Sequence, residues 1–151
     1  MTGEATAPDG GIQAGPLGVG ETRLISLREI VDVNGSLLVG EVPDTLPFVA
    51  RRFFALYDIP AGEARGTHAH RECEQFLVCL RGSVTALVDD GRTRREVRLD
   101  RPELGLYMPR LTWGTQSGYS PDALLMVFAS HGYDADDYIH DYDEFRSLAG
   151  V

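Results

Sequence analysis

Residues 62–76 read "GEARGTHAHRECEQF" and concentrate the reactive side chains of this chain. His68 and His70 are two apart, Arg65 precedes them and Glu74 follows. Two chemistries suit that set. Imidazoles and a carboxylate can ligate a transition metal. Alternatively, two imidazoles can move protons without one, because histidine titrates near working pH. If the stretch is a strand, positions i and i+2 share a face, so His68 and His70 project together while Ala69 points away. A same-face pair is a workable proton-transfer unit. Arg65, at the strand entrance, can bind a phosphate or stabilise a developing anion.

The flanking sequence shows what positions them. Short runs such as "TRLISL", "RRFFALYDI", "QFLVCL", "LGLYMP" and "ALLMVFAS" are apolar or alternating and end at turn residues. "SVTALVDDGRTRREVRL" alternates on both sides of Asp90-Gly91, which predicts a hairpin with a type I′ turn. Such spacing predicts an all-β sandwich or small barrel. Tyr138, Ile139, Tyr142, Phe145 and Leu148 recur at helical spacing. They predict a C-terminal α-helix capped by Asp134, with Asp136 and Asp137 favoured by its dipole and Gly150 at its end. Residues 1–20, rich in Gly and Pro, read as a mobile tail, at least in their first half, and 21–151 as a single domain.

Composition excludes several partners. A net charge of -9 argues against nucleic acid and anionic lipid. No apolar run is long enough to span a bilayer. No secretory signal is visible, so Cys73 and Cys79 read as reduced thiols and the setting as cytoplasmic. All 14 basic residues are arginine, so any bound phosphate meets guanidinium groups, backbone amides or hydroxyls, and lysine Schiff-base chemistry is excluded.

Gly62, His68, His70 and Glu74 fall on the first motif of the cupin superfamily, with Gly82 one residue late. The second motif matches at Pro109 in "GLYMPRLTWG", but Gly114 stands where the last metal-binding histidine belongs. Metal binding is weakened by that absence, not excluded. "RGTHAHRECEQFLVCLRGSVTALVDDG", "GLYMPRLTW", "SPDALLMVFAS" and "YDADDYIHDYDEF" narrow the resemblance. From about Ser26 to Phe145 the chain resembles the WxcM-like sugar 3,4-ketoisomerases, which act on dTDP-4-keto-6-deoxy-D-glucose. The resemblance implies a cupin/jelly-roll β-barrel, a homodimer with exchanged N-terminal strands, and catalysis with no metal or other cofactor.

Moving a ketone from carbon 4 to carbon 3 requires loss of the carbon 3 proton, an enediol or enediolate, and protonation at carbon 4. His68 is preferred for the carbon protons and His70 for the oxygens, with the reverse assignment open. Glu74 either orients a histidine or pairs with an arginine. Tyr107 and Trp113 are candidates to pack on the base or sugar, with core packing at least as favourable. The resemblance also implies substrate contacts at Phe54, Asn34 and Gly114. At Phe54 many members carry a tyrosine, so a water or Tyr57 would have to supply the hydroxyl. Asn34 and Gly114 border the region that sets the carbon 4 epimer. His140 reads as a surface residue on the polar side of the helix, and His131 stays unassigned. Competing readings are a metal-dependent cupin such as a dioxygenase, a dTDP-sugar 3,5-epimerase, and a non-catalytic nucleotide-sugar-binding cupin.

Overall fold

The computed structural model describes residues 13–151. The strands are β1 (Gly15–Pro16), β2 (Arg23–Ser26), β3 (Arg28–Asp32), β4 (Gly35–Val39), β5 (Arg52–Tyr57), β6 (Arg65–His70) and β7 (Gln75–Arg81). They continue with β8 (Val84–Asp89), β9 (Arg94–Leu99), β10 (Leu104–Met108), β11 (Trp113–Ser117), β12 (Leu124–Ala129) and β13 (Tyr138–Ile139), before helix α1 (Tyr142–Leu148). The larger sheet runs β1-β2-β10-β7-β12-β5, a second runs β13-β6-β11-β8-β9, and β3 and β4 pair as a separate ribbon. Their ladders are antiparallel. This is the double-sheet jelly roll of a cupin.

Period-two alternation builds the interior. Val84, Ala86 and Val88 of β8 point inward and are fully buried, as are Leu125 and Val127 of β12. The apolar run of β7 is buried on both faces. Leu77 and Cys79 join the interior, whereas Phe76 and Val78 pack outward against Leu27 and Phe48. The segment between β2 and β5 thus covers the outer face of the larger sheet, which explains why "QFLVCL" does not alternate.

Three expectations change. The first half of the expected tail, residues 1–10, lies outside the described residues, as do the next two. From Gly15 onward the segment pairs with β2, and Leu17 and Val19 are buried in the core. Apolar area at those two positions outweighs the freedom of the glycines around them.

The turn after β8 is not the expected two-residue type I′. Asp89 pairs with Arg94, leaving a four-residue loop, and Asp90 lies outside the left-handed region that type I′ requires. The Asp90 carboxylate instead accepts from the backbone N–H groups of Arg92, Thr93 and Gly20, and this holds its pKa below the usual value despite partial burial.

The C-terminal helix is shorter than expected. Asp134 caps only a 3-10 turn, Ala135–Asp137, and Tyr138 and Ile139 pair with His70 and Ala69 of β6. Asp141, not Asp134, caps α1 by accepting from the Glu144 N–H. At the other end Gly150 (φ 78°) donates to Ser147 and Val151 to Arg146, a Schellman closure that requires the left-handed residue. The helix buries Phe145 against Ala69, Trp113 and Ile139.

Candidate active site

The wall of the site is β6. His68 and His70 face the barrel interior and line a cavity of about 510 Å³, a volume suited to a small ligand. Ala69 points the other way and is sealed under α1. A register shift in the β6–β11 ladder falls between the His68 and Arg65 pairings, where Gly66 adopts φ 74°. A Cβ at Gly66 would lie 2.3 Å from the Gln116 amide, so a buried glutamine lies against the strand where it enters the cavity.

The histidine rings meet edge to face, with Nε2 atoms 3.2 Å apart. Behind them, Nδ1 of His70 lies 2.9 Å from Oδ2 of Asp137. Asp137 is itself fixed by the backbone N–H groups of Glu72 and Cys73. Its burial raises its pKa, but those bonds and the His70 ring outweigh it and hold the carboxyl below its ordinary value. His70 is buried, and desolvation outweighs Asp137 in setting its direction, so its pKa is lowered. Burial, with help from His70 and His140, lowers His68 to about 4.

At neutral pH both rings are therefore uncharged, and their tautomers follow from the contacts. Asp137 accepts the Nδ1 proton of His70, so His70 carries its lone pair on Nε2. The 3.2 Å contact then has His68 donating its Nε2 proton, which leaves Nδ1 as the basic nitrogen of His68. A proton taken up by His68 can be matched by passing its Nε2 proton to His70. The imidazolium so formed faces the Asp137 carboxylate. The line Asp137–His70–His68 can therefore pass a proton along its contacts.

Around it, Phe54, Arg65, Met108, Gly114, Gln116 and Tyr138 are among the other lining residues. Gly114 is where β11 passes His68, and a Cβ there would lie 2.6 Å from Cε of Met108. Arg65 stands exposed at the mouth. Tyr57 reaches the mouth too, but it is 62% exposed beside Phe53 on the outer side of β5. The phenol that packs on both histidines is Tyr138, with ring centroids 4.8 Å from His68 and 4.5 Å from His70.

Several expected site residues lie elsewhere. Tyr107 points to the outside of β10, packs at a tilt against Phe48, and donates its hydroxyl proton to Glu74. Burial, reinforced by that bond, pushes the Tyr107 phenol well above its ordinary pKa. Glu74 therefore orients neither histidine and has a tyrosine, not an arginine, as its hydrogen-bond partner. The carboxylate that a cupin metal site would draw on is committed there and position 114 offers no imidazole, so the donor set does not fit that four-ligand pattern. Trp113 is buried under α1 against Tyr142 and Phe145, because its neighbour Gly114 takes the cavity face of β11. Asn34 sits in the turn of the β3–β4 hairpin, where its N–H bonds Asp32. It is not among the cavity-lining residues of this chain.

Four residues of the site were not singled out for it from sequence: Asp137, Tyr138, His140 and Arg52. Asp137 and Tyr138 were assigned to a helix that does not form there. His140 stacks on Tyr138 and lies 5.9 Å from His68, ring to ring, away from the helix surface expected for it. Arg52 shares the inward face of β5 with Phe54. Its guanidinium is 5.5 Å from the Phe54 ring, its buried Nε has no hydrogen-bond partner, and its charge helps depress His70. Alternation along "RFFALY" was the available signal for it.

Comparison with known proteins gives the chain its family. The model of the FdtA family, described as WxcM-like, C-terminal, matches residues 20–150. The chain belongs to the FdtA family. One relative is the TDP-4-oxo-6-deoxy-alpha-D-glucose-3,4-oxoisomerase of Aneurinibacillus thermoaerophilus. It is 40% identical over 126 residues, covering 83% of this chain and 91% of the relative. A 3,4-ketoisomerase from Helicobacter canadensis superposes with a TM-score of 0.82 at 34% identity, covering 87% of this chain and 98% of its own. A mutant of the 3,4-ketoisomerase QdtA from Thermoanaerobacterium thermosaccharolyticum, in complex with TDP-4-keto-6-deoxyglucose, superposes with a TM-score of 0.84 at 30% identity, covering 87% and 95%.

Proposed function

We propose that this chain is a dTDP-4-keto-6-deoxy-D-glucose 3,4-ketoisomerase that works through the relay Asp137–His70–His68. The observation that carries this reading is the unbroken line of contacts, 2.9 Å and then 3.2 Å, ending on the wall of a sugar-sized cavity. The relatives named above act on or bind the same substrate class.

His68 takes the proton from carbon 3, which the neighbouring ketone acidifies, and an enediolate forms. The relay spreads the positive charge toward Asp137, and Arg52 lies near enough to His70 to stabilise negative charge on the sugar oxygens. Return of a proton to carbon 4, with exchange of the hydroxyl proton between the two oxygens, completes the migration. Tyr138 supplies the hydroxyl that Phe54 lacks, since its ring already rests on both imidazoles. Arg65 at the mouth holds the diphosphate. The enzyme operates as a homodimer, in the cytoplasm, where the buried free thiols of Cys73 and Cys79 stay reduced.

Incubation with dTDP-4-keto-6-deoxyglucose, followed by NMR of the product, tests the reading. The ketone is expected at carbon 3, with the migration abolished in His68→Asn. A ketone that stays at carbon 4 with the native protein overturns it.

A further inference from the structure

Among the described residues, one group of three potential metal donors converges: His70, Cys73 and Asp137, whose ligand atoms all lie within 4.8 Å of one another. It lies on the Nδ1 side of His70, behind the ring and away from His68. Three atoms so spaced share a point within about 2.8 Å of each, so movements of about half an ångström reach zinc–ligand lengths of ~2.0–2.3 Å. The donor types are one imidazole, one thiol and one carboxylate, a mixture that selects zinc over calcium or magnesium. A thiolate and a carboxylate together neutralise a divalent ion, which permits its burial at a place where Cys73 is only 2% exposed.

A second observation gives the ion a route. A surface groove lined by Glu72, Asp134, Asp136 and Asp137 reaches this cluster from outside the barrel. Its one arginine, Arg71, is engaged with Glu144. Four carboxylates in a shared groove raise the local concentration of cations.

We propose that His70, Cys73 and Asp137 form a zinc site behind the catalytic wall, and that zinc bound there switches the enzyme off. Binding releases the thiol proton of Cys73 and the Nδ1 proton of His70 to solvent, and three coordinate bonds to zinc replace the His70–Asp137 hydrogen bond. His70 then has no free tautomer to exchange and Asp137 no longer faces an imidazolium. The inhibitory half rests on the relay proposed above; the binding half does not.

The probe is Co²⁺ and then Zn²⁺, added to the full chain under reducing conditions. One equivalent of Co²⁺ is expected to give a thiolate-to-metal charge-transfer band that Zn²⁺ erases. The band is lost in Cys73→Ser and kept in Cys79→Ala. X-ray absorption of the zinc-loaded native chain, which needs no variant, is expected to show one sulfur neighbour. A zinc shell of nitrogen and oxygen alone, or a band that survives Cys73→Ser, overturns the site. In turnover, saturating Zn²⁺ is expected to slow the native enzyme by ~10-fold or more and Cys73→Ser by less than ~2-fold, by analogy with the weight of groups next to metal-bound histidines. Sulfur-ligated zinc with unchanged turnover overturns the inhibitory half alone. A chain that never moves the ketone yet binds zinc through sulfur overturns the ketoisomerase reading and leaves the site standing.

Discussion

At the scale of single residues, the relay makes its members unequal. In the proposed mechanism His68 and His70 each hold a proton in flight, so His68→Asn or His70→Asn is expected to lower kcat by ~10²–10⁴-fold, with KM changed far less, in steady-state assays with NMR readout. Asp137→Asn keeps the shape but removes the charge facing the His70 imidazolium. It is expected to lower kcat while leaving dTDP affinity, measured by calorimetry, unchanged. Tyr138→Phe removes only a hydroxyl, and a loss of kcat with the rings still packed would mark that hydroxyl as the one Phe54 lacks. The acid limb of kcat/KM is expected well below the ordinary histidine value of 6.5, approaching about 4, because burial holds His68 neutral to that point. His140→Gln moves the limb upward, since His140 is one of the charges that depress His68. A limb at 6.5 in both proteins would contradict the buried placement of the pair.

At the scale of elements, the site depends on how β13 and α1 are tied to β6. Phe145 is fully buried and holds α1 over Ala69, on the reverse of the strand that carries the histidines. Phe145→Ala is expected to cost ~3–5 kcal/mol in denaturant unfolding, and Asp141→Ala, which removes the helix cap, ~1 kcal/mol. The same region marks the limit of what the chain reveals unfolded. The pairing of His68 with His70 was legible because strand alternation is a local rule. The barrel was legible because its strands announce themselves by turns and apolar runs. Tyr138 and Ile139 were not, because Tyr138, Ile139, Tyr142, Phe145 and Leu148 fit helical spacing whether or not the helix begins at 134. What decides is non-local: Asp137 satisfies backbone N–H groups and an imidazole 64 to 67 residues earlier in the chain. No spacing near Asp137 encodes that. Glu74 failed in the opposite way, with the right residue type at a motif position and a partner, Tyr107, on the outer side of the barrel.

At the scale of the whole molecule, the β3–β4 hairpin forms a sheet of its own and leaves Ile30, Val31, Val33 and Leu37 exposed. An isolated two-stranded ribbon is marginal in water, and β5 at the sheet edge exposes Phe53 and Tyr57. In the proposed homodimer a second copy would cover both faces. Light scattering is expected to give a dimer, and Val31→Glu with Leu37→Glu to give a monomer; a native monomer would refute this. The buried histidines also bear on global stability. The folded pKa of His68 is below the unfolded 6.5, so between 6.5 and about 4 the unfolded chain binds the proton and the folded one does not. Stability from this group is complete above 6.5 and is lost as pH falls through that window. Thermal melts are expected to decline over this range, less steeply for His68→Asn.

Met108 and Gly114 give the cavity an adjustable depth. Cε of the methionine occupies the place a side chain at 114 would enter, and the nearest backbone atom, the Leu87 carbonyl oxygen, stands further off at 3.5 Å. A wall made of a flexible thioether yields by rotating, without moving a strand. Pocket volume at this point is thus exchangeable between two positions on neighbouring stretches of chain. Enlarging residue 114 while shortening residue 108 would trade space between the two positions and change the chemistry that borders the cavity without moving a strand.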